Sequence, residues 1–325
     1  MKLPRRRFLH LAVSAATLPA LSRIARAQTY PTRPVRWIVP GAAGNAIDII
    51  ARLMGQWLSE RLGQPFIIEN RPGAGGNIGT EAVVRAPADG YTLLLVGAFN
   101  YINATLYEKL SFNFIHDIAP VASLIRVPNV MEVNPSFPAR TVPEFIAYAK
   151  ANPGKINFAS PGIGSSIHVS GELFKMMTGV DIVHVPYRGA APALTDLISG
   201  QMQLMFDNLP SSIEYIKSAK LRPLAVTTAA RSEELPNIPT VGDFVPGYEA
   251  SAVPGVGAPR GTPAEIIEKL NKEINAGLVH PKIKAQLASL GGTVLVGSPA
   301  DFGRLSVDET KKWSKVIKFA GIKVE

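Results

Sequence analysis

The sequence predicts an α/β protein of two domains, each a mostly parallel sheet flanked by helices. Three observations carry this expectation. Short β-branched runs alternate with longer runs of helical periodicity. A glycine-rich turn follows a strand at a corresponding place in each half. About 300 residues remain beyond an N-terminal leader, enough for two domains of ordinary size.

The leader is residues 1–27, MKLPRRRFLHLAVSAATLPALSRIARA. It has a basic start, an apolar stretch from Leu9 to Leu21 and a small-residue site at Ala25-Arg26-Ala27, the anatomy of a removable export signal. Arg5-Arg6-Arg7 gives it a twin-arginine character. Ser14, Thr17 and Pro19 interrupt the apolar run, which is shorter than the roughly 20 residues a bilayer requires. Cleavage is expected after Ala27, and the mature protein is expected in the periplasm.

The leader also carries most of the charge excess. The chain has 34 Lys and Arg against 25 Asp and Glu. Six of those bases and no acid lie in 1–27, which leaves 28 against 25, a net of +3. With no later run of bases interleaved with aromatics, nucleic acid is not an expected partner. The chain has no cysteine, so disulfides, thiolate nucleophiles and cysteine metal sites are excluded.

Along the first half, Val35–Val39 reads as a buried strand, PGAAGNA as a turn, and Ile47, Ile50, Ala51, Met54 and Leu58 as a helical stripe. Phe66–Glu69 is the next strand, NRPGAGGN a second glycine turn, Ile78–Arg85 a helix, and Tyr91–Val96 a strand. Val121–Leu124 and Val127–Val133 are expected to be extended, with Pro128 marking a crossing between domains. The second half opens with a Thr-x-x-Glu cap at Thr141 and Glu144 for a helix to Ala151. Then come the strand Ile156–Ala159, the turn SPGIGSS, the helix Ile167–Met177, and strands at Ile182–Val185, Leu204–Phe206 and Leu224–Thr227. Gly247–Pro259 is rich in glycine and proline and is expected to be a returning crossover. Two helices with cap-proline-acid starts, Pro263–Leu278 and Pro299–Ala320, are expected to pack back on the first domain.

The two turns, Pro40-Gly41-Ala42-Ala43-Gly44 and Ser160-Pro161-Gly162-Ile163-Gly164, each lead from a strand into a helix. The first N–H groups of a helix lack intrahelical acceptors, and the dipole makes that end electropositive. Two such ends facing one cavity would hold a carboxylate without a lysine or arginine. Either turn alone is equally an ordinary strand–helix connection; two matching turns and a third at Gly73–Gly76 point to a site. Ile78 breaks the dinucleotide fingerprint, and no Walker loop is present. Asn45 and Asp48 have the spacing of a helix cap and its reciprocal residue, which leaves capping and ligand contact both open. Ser165, Ser166 and His168 open a helix, and His168 and Glu172 lie one turn apart, a spacing compatible with a shared metal but lacking an evident third ligand. No catalytic set stands out.

At this point the residues resemble a known family, the periplasmic solute-binding proteins of tripartite tricarboxylate transporters, or Bug-type receptors. The resemblance rests on 69–95 (ENRPGAGGNIGTEAVVRAPADGYTLLL), 160–174 (SPGIGSSIHVSGELF), 185–201 (VPYRGAAPALTDLISGQ), 205–212 (MFDNLPSS), 224–241 (LAVTTAARSEELPNIPTV) and 321–325 (GIKVE). It implies a two-domain type II periplasmic-binding-protein fold that closes like a flytrap on an organic anion, a mono- or dicarboxylate. It also implies no enzymatic activity, no metal or other cofactor, and delivery to membrane permease subunits, with the receptor a monomer. The implied domains are 28–128 plus 251–325, and 129–250, with the cleft between them. Carried over by position, ligand contacts fall on Gly44, Asn45, Ala46, Ile47, Asp48, Ala98 and Asn100 in the first domain, and on Asn129 beside the crossing. In the second domain they fall on Ser160, Gly164, Ser165, Ser166, His168, Arg188, Gly189 and Asp207, with an ordinary ion pair as the other reading of Arg188 and Asp207. Ile47 stands where the family has a threonine, Val253-Pro254 where it has an aromatic pair, and Ala104 where proline is common. A pocket more apolar than usual is therefore expected, suited to an aromatic or longer-chain carboxylate. The competing readings are an exported α/β hydrolase or isomerase using Ser165 and His168, and a receptor that serves a sensor.

Overall fold

The computed structural model describes residues 30–44 and 46–324; the expected leader and Asn45 lie outside them. No helix among the described residues is long and apolar enough to cross a membrane.

The chain first lays down β1 (Val35–Val39), α1 (Ala46–Leu62), β2 (Phe66–Asn70), α2 (Asn77–Val84), β3 (Thr92–Val96), α3 (Ala98–Leu106), α4 (Phe114–Asp117) and β4 (Ile118–Ser123). After the long strand β5 (Ile125–Val133) come α5 (Val142–Ala151), β6 (Asn157–Ser160), α6 (Ser166–Thr178), β7 (Val183–Pro186), α7 (Ala190–Ile198), β8 (Leu204–Asn208), α8 (Leu209–Lys217) and β9 (Arg222–Val226). The return comprises β10 (Ser251–Ala252), β11 (Gly255–Pro259), α9 (Ala264–Val279), α10 (Pro281–Ser289), β12 (Thr293–Val294) and α11 (Pro299–Ala320).

Two sheets result, and each with its helices forms a lobe. The first has the order β2-β1-β3-β11-β4, with β1, β2 and β3 parallel and β11 antiparallel to both its neighbours. β3 is buried at all five positions, as a middle strand covered on both faces must be. Its side chains alternate: Leu93 and Leu95 join Met54, Leu58 and Leu270 in one core, while Leu94 and Val96 face Ile102 and Leu106 in another. The second sheet has the order β10-β5-β8-β6-β7, with β9 and β12 also paired to β5. Here β6 is parallel to β7 and β8, and β5 is antiparallel to β8 and β9.

The expected returning crossover at Gly247–Pro259 is present: β10 pairs with β5 in the second sheet, and the segment ends in β11, a middle strand of the first sheet. Its glycines are steric. A Cβ at Gly255 would collide with the Phe302 ring and stand 2.7 Å from the Ala122 carbonyl oxygen, and one at Gly257 would collide with Ile118. α11 packs back on the first lobe as expected and reaches the second as well. It packs on α3 and β4 of the first lobe and on α6 of the second, and its Trp313, Val316 and Ile317 belong to an apolar core that continues through both lobes.

Candidate functional site

The first turn leaves β1 and enters α1. Gly44 sits at φ +82°, and its N–H donates to Asp48 Oδ2 at 2.8 Å. Asp48 is 1% exposed and also accepts from Arg52 Nε at 2.9 Å and Asn70 Nδ2 at 2.9 Å. Burial alone would raise its pKa, but the bonds from Arg52, Gly44 and Asn70 outweigh that and hold the carboxyl below its ordinary range. The carboxylate thus shapes the turn. Ile47 is half-buried and packs on the first-lobe core. Asn45 lies outside the described residues, and of Ala46 only the helical backbone is described.

Ala98 to Asn100 follow the end of β3 and form the first turn of α3. Asn100 is buried; its Oδ1 accepts from Gly97 N–H at 2.9 Å, and its Nδ2 donates to Thr80 Oγ1 at 2.8 Å. Its side-chain amide is therefore engaged within the lobe. The main-chain amides of Ala98 and Phe99 have no protein acceptor among the described residues.

The second turn leaves β6. Ser160 Oγ lies 2.6 Å from His184 Nε2 on β7 and accepts from Gly162 N–H at 3.2 Å. Ser165 caps α6, accepting from His168 N–H at 3.1 Å and donating to Gly162 O at 2.8 Å. Gly164, at φ +76°, donates its N–H to His168 Nδ1 at 3.1 Å, so the neutral ring carries its proton on Nε2, which faces Glu172 Oε1 at 3.8 Å. His168 stacks on His184 with ring centroids 3.7 Å apart. Burial, with the neighbouring His184 and Lys175, lowers His168 to about 3; burial and Lys175 lower His184 to about 4. Both are neutral at pH 7. Ser165 and His168 accordingly do not form a nucleophile–base pair: the hydroxyl hydrogen goes to a carbonyl and the basic ring nitrogen to an amide. Glu172 is held by Lys175 at 3.0 Å, and no group of three or more metal-ligating side chains converges among the described residues.

This turn lies against the first lobe. A Cβ at Gly164 would stand 2.5 Å from Leu106 Cδ2 and 3.7 Å from Ile102 Cγ2, both on α3. Beside it, Tyr187 N–H donates to Ser160 O at 2.8 Å, which sets Arg188 and Gly189 next to the turn. Arg188 is exposed and forms no ion pair among the described residues. Gly189 caps α7 at φ +116° without a side-chain bond. The amides of Ser166 and Ile167 on α6, and of Ala190 and Ala191 on α7, likewise lack protein acceptors among the described residues. Three helix starts thus present open donors near the contact between lobes.

Two further candidate residues are buried. Asp207 is 0% exposed, and among the described residues it forms no ion pair with Arg188. Its Oδ2 contacts Ser212 Oγ at 2.8 Å, and the same hydroxyl lies 2.6 Å from Glu132 Oε1. Register explains this: Val130 faces Asp207 across β5 and β8, so Glu132, two residues on, shares its face. Burial pushes both carboxyls up, Asp207 to about 7 and Glu132 well above its ordinary value, the second also through repulsion from the first. Asn129 is also 0% exposed, and its amide bonds to Ser170 and Asn208. Sequence reasoning overlooked His184, Ser170 and Asn208; only the position of Ser170, one turn beyond Ser166, could have drawn attention.

A family model described as "Tripartite tricarboxylate transporter family receptor" matches residues 50–322. Protein BugT of Bordetella pertussis is 36% identical over 302 residues, covering 92% of this chain and 93% of BugT. Among solved structures, R. palustris Rpa4515 with adipate is 42% identical with a TM-score of 0.81, covering 90% of this chain and 99% of that one. MatC from Rhodopseudomonas palustris with bound malate is 31% identical with a TM-score of 0.76, covering 89% and 100%. The chain described here belongs to the tripartite tricarboxylate transporter family of receptors.

Proposed function

We propose that the protein is a periplasmic receptor that captures a carboxylate-bearing organic anion, without chemical turnover, and delivers it to the permease subunits of a tripartite transporter. The observation that carries this reading is the set of unpartnered main-chain amides at the starts of α3, α6 and α7, beside the contact between α3 and the turn at Gly164. Open amides at helix starts favour an anion through both hydrogen bonds and dipole. The dicarboxylates held by Rpa4515 and MatC support the ligand class. Adipate, with its four-methylene chain, matches the expectation of a longer carboxylate, as does Ile47 in place of a threonine. The proposed domains are 28–128 plus 251–325, and 129–250, hinged where β4–β5 and β10–β11 cross. The receptor works as a monomer, exported by a leader cleaved after Ala27.

A thermal-shift screen of the purified protein against adipate, malate, citrate and monocarboxylates tests the reading. A true ligand at 100 times its Kd stabilises the native state by about 2.7 kcal/mol. Adipate is expected to give the largest shift. No shift with any carboxylate, or consumption of one, would overturn the proposal.

A further inference from the structure

Asn129 lies where the chain has just crossed into the second lobe. The preceding residue, Pro128, pairs with Ser251 of the returning strand β10. The backbone of Asn129 is fixed to Thr227: Asn129 N–H donates to Thr227 Oγ1 at 2.9 Å, and Thr227 N–H donates to Asn129 O at 2.9 Å. Thr227 O accepts in turn from Ala250 N–H at 2.9 Å, on the returning segment. Both crossings therefore meet at this residue.

Its side chain points the other way, into the helices. Asn208 Nδ2 donates to Asn129 Oδ1; Asn129 Nδ2 donates to Ser170 Oγ at 3.0 Å; Ser170 Oγ–H donates to Ser166 O at 2.7 Å. Every donor in this chain points the same way, so each bond polarises the next. One end of the chain is Asn208, the N-cap residue of α8, whose side chain makes no capping bond. The other end is the first residue of α6, whose amide is one of the open donors. Tyr248, from the returning segment, adds a bond from its hydroxyl to Ser170 O at 3.0 Å. Asn129, Ser170 and Thr227 are each 0% exposed, so water cannot replace these partners.

We infer that Asn129 is a positioning residue: it fixes the first turn of α6 relative to the crossing strands, and so couples lobe movement to the amides that receive the anion. The inference rests on the receptor reading above. It assigns Asn129 no contact with ligand, and it treats Ser170 as the necessary second link.

Calorimetric titration of adipate and malate into the purified protein, well below the lowest Tm, tests it. Asn129→Ala is expected to weaken binding about tenfold. Ser170→Ala, a milder change within a helix, is expected to do nearly the same, and the double variant to bind no more weakly than the weaker single variant. Leu221→Ala, a core truncation away from this chain, controls for stability: it lowers Tm and leaves Kd unchanged. If Ser170→Ala or Asn129→Ala lowers Tm but keeps the wild-type Kd, as Leu221→Ala does, the inference is wrong. Additive losses in the double variant would also overturn it, since they would show two unconnected effects. Wild-type protein that binds none of adipate, malate, citrate and the monocarboxylates would overturn the receptor reading itself, and the inference with it.

Discussion

Both lobes lock a glycine turn with the same device and opposite chemistry. Gly44 and Gly164 occupy the left-handed region, at φ +82° and +76°, and each donates its N–H to a side chain four residues later. In the first lobe the acceptor is the ionised carboxylate of Asp48; in the second it is the neutral imidazole of His168. The turn requires an acceptor at that spacing, and its charge matters only through what must accompany it. A bare carboxylate beside an anion site would repel the ligand, and Asp48 is accordingly matched by Arg52 at 2.9 Å. The second lobe needs no counterion, because both its stacked histidines are neutral.

The comparison can be broken most forcefully at Asp48. Asp48→Ala removes the acceptor for Gly44, Arg52 and Asn70 together. A hydrogen bond to a charged group contributes about 1.5–3 kcal/mol, and these three are not additive, so a loss of about 3 kcal/mol is expected in urea unfolding, with weakened carboxylate binding. A loss under about 1 kcal/mol would mean that the first turn is held by other contacts, and the parallel with Gly164 and His168 would fail.

The parallel itself was half legible. The repeated glycine turns, the Thr141 and Ser298 caps and most strands follow from local chemistry, because periodicity and capping are written within a few residues. What stayed hidden depends on partners distant in sequence. Within the returning crossover the strand β11 went unread, because its glycines answer to Phe302 and Ile118, which no local pattern reveals. Asn208 stands at the start of α8 without capping it, and its side-chain nitrogen donates to the distant Asn129. Asp207 was named only through the family resemblance, and its neighbour Glu132 arrives only through sheet register. At the site, the helix starts were readable, whereas the internal use of Asn100, Asn129 and Asp207 was not.

Two buried aspartates sharpen the contrast between lobes. Asp48 is surrounded by donors and is held below its ordinary pKa, so its stabilisation is present above the unfolded value and is lost as pH falls. Asp207 shares one serine hydroxyl with Glu132. Ser212 has a single hydrogen for two carboxyl oxygens, so one of the acids must be protonated to complete both contacts. With folded pKa values above the unfolded ones, this pair favours the folded state below about pH 4, and that advantage is lost as pH rises through about 7. The depressed histidines act in the opposite sense, losing stability as pH falls from about 6.5, so they are silent above it. Between pH 6.5, above which the histidines are silent, and about pH 7, where Asp207 gives up its proton, the wild-type stability should therefore fall as pH rises, by up to about 1.4 kcal/mol per pH unit for each excess proton held. Glu132→Gln combined with Asp207→Asn should flatten that slope. Parallel profiles for variant and wild type, followed by denaturant melts at each pH, would remove the pair from the account.

The smallest expected effects separate backbone strain from contact between the lobes. An alanine at either glycine must adopt a left-handed conformation, at about 1 kcal/mol. At Gly44 nothing lies within 4 Å of the added methyl, so Gly44→Ala should show that cost and little else. At Gly164 the methyl would stand 2.5 Å from Leu106 Cδ2, across the junction with α3. Leu106 is buried, so its displacement must either repack the shared core or hold the lobes apart. Gly164→Ala is therefore expected to cost about 1 kcal/mol more than Gly44→Ala and to weaken ligand binding as well. Equal stability losses with equal affinities would mean that the second turn, like the first, is constrained only within its own lobe.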